Sequence, residues 1–181
     1  MQNNSLEEWL NYIERLHPKE IELGLERIEP LYHRIIKEPL ADKIIVVGGT
    51  NGKGTTVEYL SKLIRSDNKT VGTYTSPHLF DFNERIRING EKASNKEIVR
   101  SFREIDKVRG STQLTYFEFT TLVAFDLLYR KRLDVVVLEI GLGGRLDATN
   151  VIKKPIVTII NEISIDHTNF LGSSIKKIAN E

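Results

Sequence analysis

The sequence predicts an α/β doubly wound fold built on a mostly parallel sheet. Three observations predict it. β-branched runs at residues 43–47, 134–140 and 156–160 are the continuous apolar kind that parallel sheets bury. Segments of helical period alternate with them. The run Ile44-Ile45-Val46-Val47 leads straight into Gly48-Gly49-Thr50-Asn51-Gly52-Lys53-Gly54-Thr55-Thr56, a glycine loop that opens a helix.

The elements follow in order. Residues 5–16 read as a helix with Leu6, Trp9, Leu10, Ile13 and Leu16 on one face, ended by Pro18. Residues 25–37 read as a second helix, with Pro30 near its start or kinking it. The first buried strand is 43–47, and the helix after the glycine loop is 55–66, with Val57, Leu60 and Ile64 at helical spacing. Residues 70–75 form a second strand. Charged and apolar residues alternate over 84–88 before Asn89-Gly90, which predicts a small hairpin. Ser94 and Glu97 form a capping box for a helix carrying Ile98, Phe102, Ile105 and Val108 on one face. Residues 116–129 are an apolar, buried helix. Strands at 134–140 and 156–160 follow, and Ser173 or Ser174 opens a last helix with Ile175, Ile178 and Ala179.

Composition excludes several classes. Twenty-six basic against 25 acidic residues leave a formal charge of +1, so no bulk field argues for nucleic acid or a membrane surface. The absence of cysteine rules out disulfides, thiolate catalysis and Cys-ligated zinc. No apolar stretch approaches the roughly 20 residues that span a bilayer. Residues 1–8 lack a basic region followed by an apolar one, so no secretory signal is expected and a reducing cytoplasm is the default.

In a parallel sheet, ligands sit beyond the C-terminal strand ends. Four features fall there. In the glycine loop, backbone N–H groups and a helix dipole converge on an anion, and Lys53 adds a point charge. The loop departs from the usual phosphate-loop pattern: Gly54 intervenes between Lys53 and Thr55, and the first glycine is one residue too close. Ser76-Pro77-His78-Leu79 follows the second strand. Glu139 closes Val135-Val136-Val137-Leu138, a position suited to Mg²⁺ beside a phosphate loop, although a structural ion pair is the other reading. Asp166-His167 follows the last strand, and His167 alone reads equally as a ligand or a hydrogen-bonded loop histidine. Ser76 alone reads as a turn hydroxyl. His78 stays unassigned, and His17 and His33 read as surface or structural. Arg145 binds an anion or anchors its loop to a carboxylate such as Asp147. Phe119 and Phe125 read as core. Arg130-Lys131-Arg132 reads as a solvated helix C-terminus.

Taken together, Gly49-Thr50-Asn51-Gly52-Lys53-Gly54-Thr55, Ser76-Pro77-His78-Leu79 and Leu138-Glu139-Ile140-Gly141-Leu142-Gly143-Gly144-Arg145-Leu146-Asp147-Ala148-Thr149-Asn150 resemble the signatures of the folylpolyglutamate synthase family, a relative of the Mur ligases. Leu23-Gly24-Leu25-Glu26-Arg27-Ile28 and Leu114-Thr115-Tyr116-Phe117-Glu118 extend the match, which runs in order along essentially the whole chain. The bifunctional bacterial branch is most similar. The resemblance implies an ATP-dependent ligase. Such an enzyme phosphorylates the carboxylate of dihydropteroate or a reduced folate, and L-glutamate then attacks the acyl phosphate to form an amide. It implies that Thr50, Asn51, Gly52, Lys53, Gly54 and Thr55 bind ATP, and that Ser76, Glu139 and His167 hold Mg²⁺. Lys53, Glu139 and His167 are the implied catalytic set. The pterin end would lie against Glu22, Leu23, Gly24 and Leu25, against Thr115, Tyr116, Phe117 and Glu118, and against Leu146, Asp147 and Ala148.

The resemblance also implies more chain than is present. In the family the pattern continues into a carbamylated lysine, which would be the next residue after Glu181; Lys176 and Lys177 are out of register for it. Residues 1–181 therefore read as the N-terminal part of a Mur-ligase-like ATP-binding domain, truncated before the sheet is complete and lacking the C-terminal glutamate-ligase domain. A truncated product, half of a split enzyme with a complementing C-terminal chain, and an expressed fragment all fit. The expected alternative to a ligase is a non-catalytic remnant that retains nucleotide or pterin binding, with an exposed sheet edge.

Overall fold

The computed structural model describes residues 5–181; residues 1–4, the start of the stretch read for a secretory signal, lie outside it. In chain order it contains α1 (Leu6–Ile13), α2 (Ile28–Ile35), β1 (Lys43–Gly48), α3 (Lys53–Ser66), β2 (Val71–Tyr74), β3 (Ile86–Ile88) and β4 (Glu91–Lys92). Then come α4 (Asn95–Arg109), α5 (Tyr116–Lys131), β5 (Val135–Glu139), β6 (Val157–Ile160), α6 (Thr168–Leu171) and α7 (Ile175–Ala179). The strands form one six-stranded sheet in the order β4-β3-β2-β5-β1-β6. β2, β5, β1 and β6 run parallel, and β3 and β4 add an antiparallel edge.

Helices cover both faces, as a doubly wound fold requires. On one side α3 packs Val57, Leu60 and Ile64 against Val47, Val71, Val135 and Val137. On the other, α1, α2, α4 and α5 form the larger core, where the Trp9 and Phe102 rings stack at 5.5 Å. α5 lies between the sheet and its neighbours and is buried continuously from Glu118 to Leu128, which explains its lack of a polar stripe. Capping boxes open α1 (Ser5, Glu8), α4 (Ser94, Glu97) and α5 (Thr115, Glu118).

The structure corrects several sequence expectations. α1 ends at Ile13, before Pro18, because Trp9 and Ile13 already complete its buried stripe. The second helix starts at Ile28, which puts Pro30 in the first turn, where its missing N–H costs nothing. The hairpin strand starts at Ile86, because an Asp81–Glu84 capping box winds Phe82–Arg85 into a 3-10 turn. β6, expected to be buried, is an edge strand paired only with β1, and Val157 and Ile160 remain 43% and 67% exposed. Its β-branched composition resembles that of β5, but no strand or helix among the described residues covers it. The basic cluster ending α5 is ion-paired rather than simply solvated: Arg130 pairs with Asp126, Lys131 with Glu97 and Arg132 with Glu38.

Candidate active site

The glycine loop links β1 to α3 at the C-terminal end of the sheet. Gly49 and Gly52 adopt φ of 121° and 77°, which side-chain-bearing residues avoid. A Cβ on Gly49 would also lie 2.9 Å from the Cβ of Asn161. Gly52 caps α3 without a side chain, and the first turn carries no acidic residue, so the positive end of a 14-residue helix faces the loop uncompensated. Lys53 folds back over the loop, its Nζ donating to the carbonyls of Gly49 (2.9 Å) and Thr50 (3.2 Å). The backbone amides of Thr50 and Asn51 donate to the Glu162 carbonyl at 2.8 and 3.3 Å. The Thr50 hydroxyl exchanges hydrogen bonds with the Ser164 backbone, and Asn161 Nδ2 donates to Thr56 Oγ1 at 2.8 Å. The segment after β6 therefore lies on the phosphate loop.

Glu139, 5% exposed, closes β5 beside this loop. Its Oε2 accepts from the Ser76 backbone N–H at 3.1 Å, and a Cβ on Gly54 would sit 3.7 Å from the same oxygen. Burial pushes the Glu139 carboxyl above its ordinary pKa, while the Ser76 N–H, Lys53 and Arg85 pull it down. His167 caps α6 at φ 46°, half exposed, with its backbone N–H on Asp166 Oδ1 at 2.7 Å. A cavity of about 920 Å³ takes in Ser76 and His167, and one of about 340 Å³ takes in Lys53 and His167, so His167 stands where the two meet. The donor set suits a hard cation: a Ser76 hydroxyl, a Glu139 carboxylate held through one oxygen, and His167 as a neighbour. No group of three or more His, Cys, Asp or Glu is placed to hold a metal among the described residues, so an ion here needs further oxygens from its ligand.

The larger cavity brings together most of the residues singled out for the pterin. Glu22, Leu23, Gly24, Thr115, Tyr116, Phe117, Glu118, Leu146, Asp147 and Ala148 all line it. Leu25 does not; it packs against the core. Phe117 offers a ring face, stacked on Tyr74 at 6.2 Å, and it approaches Gly141 so closely that a Cβ there would lie 2.4 Å from Phe117 Cζ.

The three acidic residues among those singled out, Glu22, Glu118 and Asp147, are engaged with the protein. Glu118 Oε2 accepts from the Thr115 N–H at 2.8 Å, and both its oxygens accept from Arg27 Nε, at 3.0 and 3.2 Å. Arg27 in turn reaches the Glu22 carbonyl at 2.8 Å and pairs with the Glu22 carboxylate at 3.1 Å. Glu22 also meets His17 and Lys19, and Lys19, first among its partners, lowers its pKa. Asp147 is 1% exposed and orders the glycine motif: Thr149 donates twice to Oδ1 and Leu142 N–H donates to Oδ2 at 2.9 Å. Burial raises its pKa against those hydrogen bonds. Arg145 does not anchor to Asp147; it pairs with Glu181, at 2.8 Å, because the loop turns it outward towards the end of α7. Sequence reasoning missed Asn161, Glu162 and Ser164, whose place just past a strand end was the available signal. It also missed Arg85, which lies in the alternating stretch read only as a small hairpin.

A glycine loop opening a helix, a strand-end carboxylate and an adjoining cavity at one edge of a parallel sheet are the arrangement of P-loop-type nucleotide-binding folds. Residues 47–181 match the Mur ligase middle domain, and the chain belongs to that family. It is 44% identical over 176 residues to the dihydrofolate synthase/folylpolyglutamate synthase of Escherichia coli K12, covering 97% of this chain and 42% of that protein. The mitochondrial folylpolyglutamate synthase of Bos taurus is 39% identical over 144 residues, covering 75% of this chain and 25% of that one. Among solved structures, E. coli FolC in complex with DHPP and ADP superposes with a TM-score of 0.95 at 43% identity, covering 98% of this chain and 43% of that one. The bifunctional enzyme of Yersinia pestis complexed with AMPPNP and Mn gives a TM-score of 0.91 at 46% identity, with 98% and 43% coverage. The chain thus spans well under half the length of these bacterial relatives.

Proposed function

We propose that this chain carries the ATP- and pterin-binding part of a ligase that joins L-glutamate to dihydropteroate, giving dihydrofolate, and to reduced folates. One observation carries the reading: the uncapped N-terminus of α3 with Lys53 lies beside the buried Glu139–Ser76 pair at the mouth of the 920 Å³ cavity. A phosphoryl donor and a carboxylate acceptor would meet there. Binding of ADP, AMPPNP, Mn and DHPP by the superposed relatives supports it.

In this reading, the backbone of Thr50, Asn51, Gly52 and Gly54, with the Thr55 hydroxyl in the first turn of α3, cradles the ATP phosphates. Lys53 exchanges the Gly49 and Thr50 carbonyls for an outer phosphate. Ser76, Glu139 and His167 would hold Mg²⁺, which would neutralise charge on the transferring phosphoryl group. Residues 23–24, 116–117, 146 and 148 shape the pterin pocket, while Glu22, Glu118 and Asp147 set the positions of its walls. Positioning and charge neutralisation lower the barrier to the acyl phosphate, which the glutamate amine then opens. Residues 1–181 form the N-terminal part of the ATP-binding domain, working in the cytoplasm. The glutamate-side groups come from outside it, in cis or from a complementing C-terminal chain. No helix among the described residues is long and apolar enough to cross a membrane.

The test is ATP-dependent incorporation of labelled L-glutamate into dihydropteroate, by this chain alone and mixed with the C-terminal portion of a relative. Product from the mixture, lost in Lys53→Ala, is the expected result. No product from the mixture while an intact relative is active, together with calorimetric binding of ATP or pteroate, would favour a binding-only protein. The exposed β6 edge supports that second reading.

A further inference from the structure

Arg85 is a buried cation without a counter-ion. It is 8% exposed, and no carboxylate among the described residues comes within ion-pairing distance of it. Its Nε donates to His78 Nδ1 at 2.8 Å. Its guanidinium carbon lies 5.7 Å from the Phe82 ring centroid and 5.6 Å from that of Tyr116. One neutral acceptor and two aromatic faces fix the plane of the group and leave its charge uncancelled. The Nη groups meet no acceptor among the described residues. They are not sealed in, because Trp9 Nε1 is the one fully enclosed side-chain polar atom there without a partner. They open into the large cavity, which Arg85 lines together with Ser76, His78 and Tyr116. A desolvated guanidinium with open donors costs several kcal/mol unless something anionic completes it. Arg85 shares the lining of that cavity with Ser76, whose backbone N–H donates to the Glu139 carboxylate.

We propose that Arg85 is the carboxylate-binding residue of the acceptor site: its two Nη groups take the carboxylate attached to the benzoyl ring of the pteroate and hold it towards the phosphate loop. This rests on the reading of the cavity as the pterin site. The planar fork matches two carboxylate oxygens, and the aromatic frame keeps it in one orientation before the acid arrives. His78 and the Phe82 and Tyr116 rings are positioning residues that act through Arg85.

Isothermal titration calorimetry of the whole chain with pteroate and with its neutral carboxamide tests the proposal. Pteroate is expected to bind about tenfold to a hundredfold more tightly than the amide, the range of a charge-assisted hydrogen-bond pair. Arg85→Gln is expected to close that gap by weakening pteroate alone. Equal binding of acid and amide to the unaltered chain, or a gap that survives Arg85→Gln, overturns the role of Arg85 and leaves the cavity reading standing. Failure of both ligands to bind overturns the two together. Folic acid and its diamide form a second arm: a gap with folic acid and none with pteroate would assign a glutamyl carboxylate instead and overturn the proposal. If Arg85→Gln does not fold, the Arg85 side-chain nitrogen resonances of the unaltered chain decide. A shift on adding pteroate and none with the amide supports the proposal; identical behaviour with both overturns it.

Discussion

Glu118→Ala removes the carboxylate that ties two walls of the large cavity together. Its Oε2 accepts from the Thr115 N–H at 2.8 Å, and Arg27 Nε reaches both oxygens at 3.0 and 3.2 Å. Glu118 is 3% exposed and Thr115 is buried too, so both are held by the protein rather than by bulk solvent. Arg27 keeps the Glu22 carboxylate at 3.1 Å, so what is lost is the hydrogen bonding of a buried acceptor, at a cost of about 1–3 kcal/mol. For a chain of this size that corresponds to a melting temperature lower by about 2–12 °C. The local consequence is more specific. Arg27 also carries the Glu22 carbonyl at 2.8 Å, so the segment around residues 22–24 loses its tether to α5 while the phosphate loop is untouched. Urea unfolding gives the stability, and calorimetry with ADP and with pteroate gives the two affinities. Expected are lower stability, weaker pteroate binding and unchanged ADP binding. A double-mutant cycle with Arg27→Ala should return a coupling of about 2 kcal/mol. A stability loss under about 0.5 kcal/mol, the level of an ordinary surface change, would refute the reasoning.

Three further outcomes are expected. Gly72→Ala in β2 sets a methyl 2.5 Å from Leu128 Cδ2 and Leu133 Cδ1, so denaturant titration should show a loss of about 1–3 kcal/mol from overpacking. Gly141→Ala drives a Cβ into Phe117, 2.4 Å from Cζ. The ring must move within the pterin wall, and pteroate affinity should fall about tenfold with ADP affinity retained. Glu97 is held down to about 2 by Lys131 first and then Ser94, from an ordinary value of 4.5. A depressed carboxyl contributes stability that is complete above the ordinary value and is lost as pH falls from about 4.5 towards about 2. The gap in urea midpoint between the unaltered chain and Glu97→Gln should therefore be full near about pH 6 and shrink by about pH 2.

How far the sequence could be read depended on whether the signal was local. The strand, glycine loop and helix from β1 to α3 were legible because glycines, a lysine and a preceding strand lie next to one another in the chain. The Ser94–Glu97 capping box was legible for the same reason. The same pattern at Thr115 and Glu118 was read only as ligand contact, because its second partner, Arg27, is 91 residues away. β6 has the composition of a central strand, and composition cannot say what lies on its far side. Arg85 sits in an alternating stretch that predicts only a small hairpin. Only the fold brings Tyr116 and His78 around it. The contacts of Glu162 and Ser164 with Thr50 span more than a hundred residues and use only the backbone of Glu162 and Ser164, whose side-chain identity therefore contributes nothing readable.

The bonds from the Thr50 and Asn51 amides to Glu162 give the glycine loop a mechanical partner. The Thr50 and Asn51 amides, which point where a phosphate loop would present donors, are occupied by the carbonyl of Glu162. Glu162 precedes His167 by a short, exposed turn. An anion that draws those amides away releases the Glu162 carbonyl, and the chain on which His167 sits loses that anchor. On the proposed reading, filling the loop and setting the histidine are one linked equilibrium, and a change that stiffens residues 161–167 is expected to change phosphate affinity.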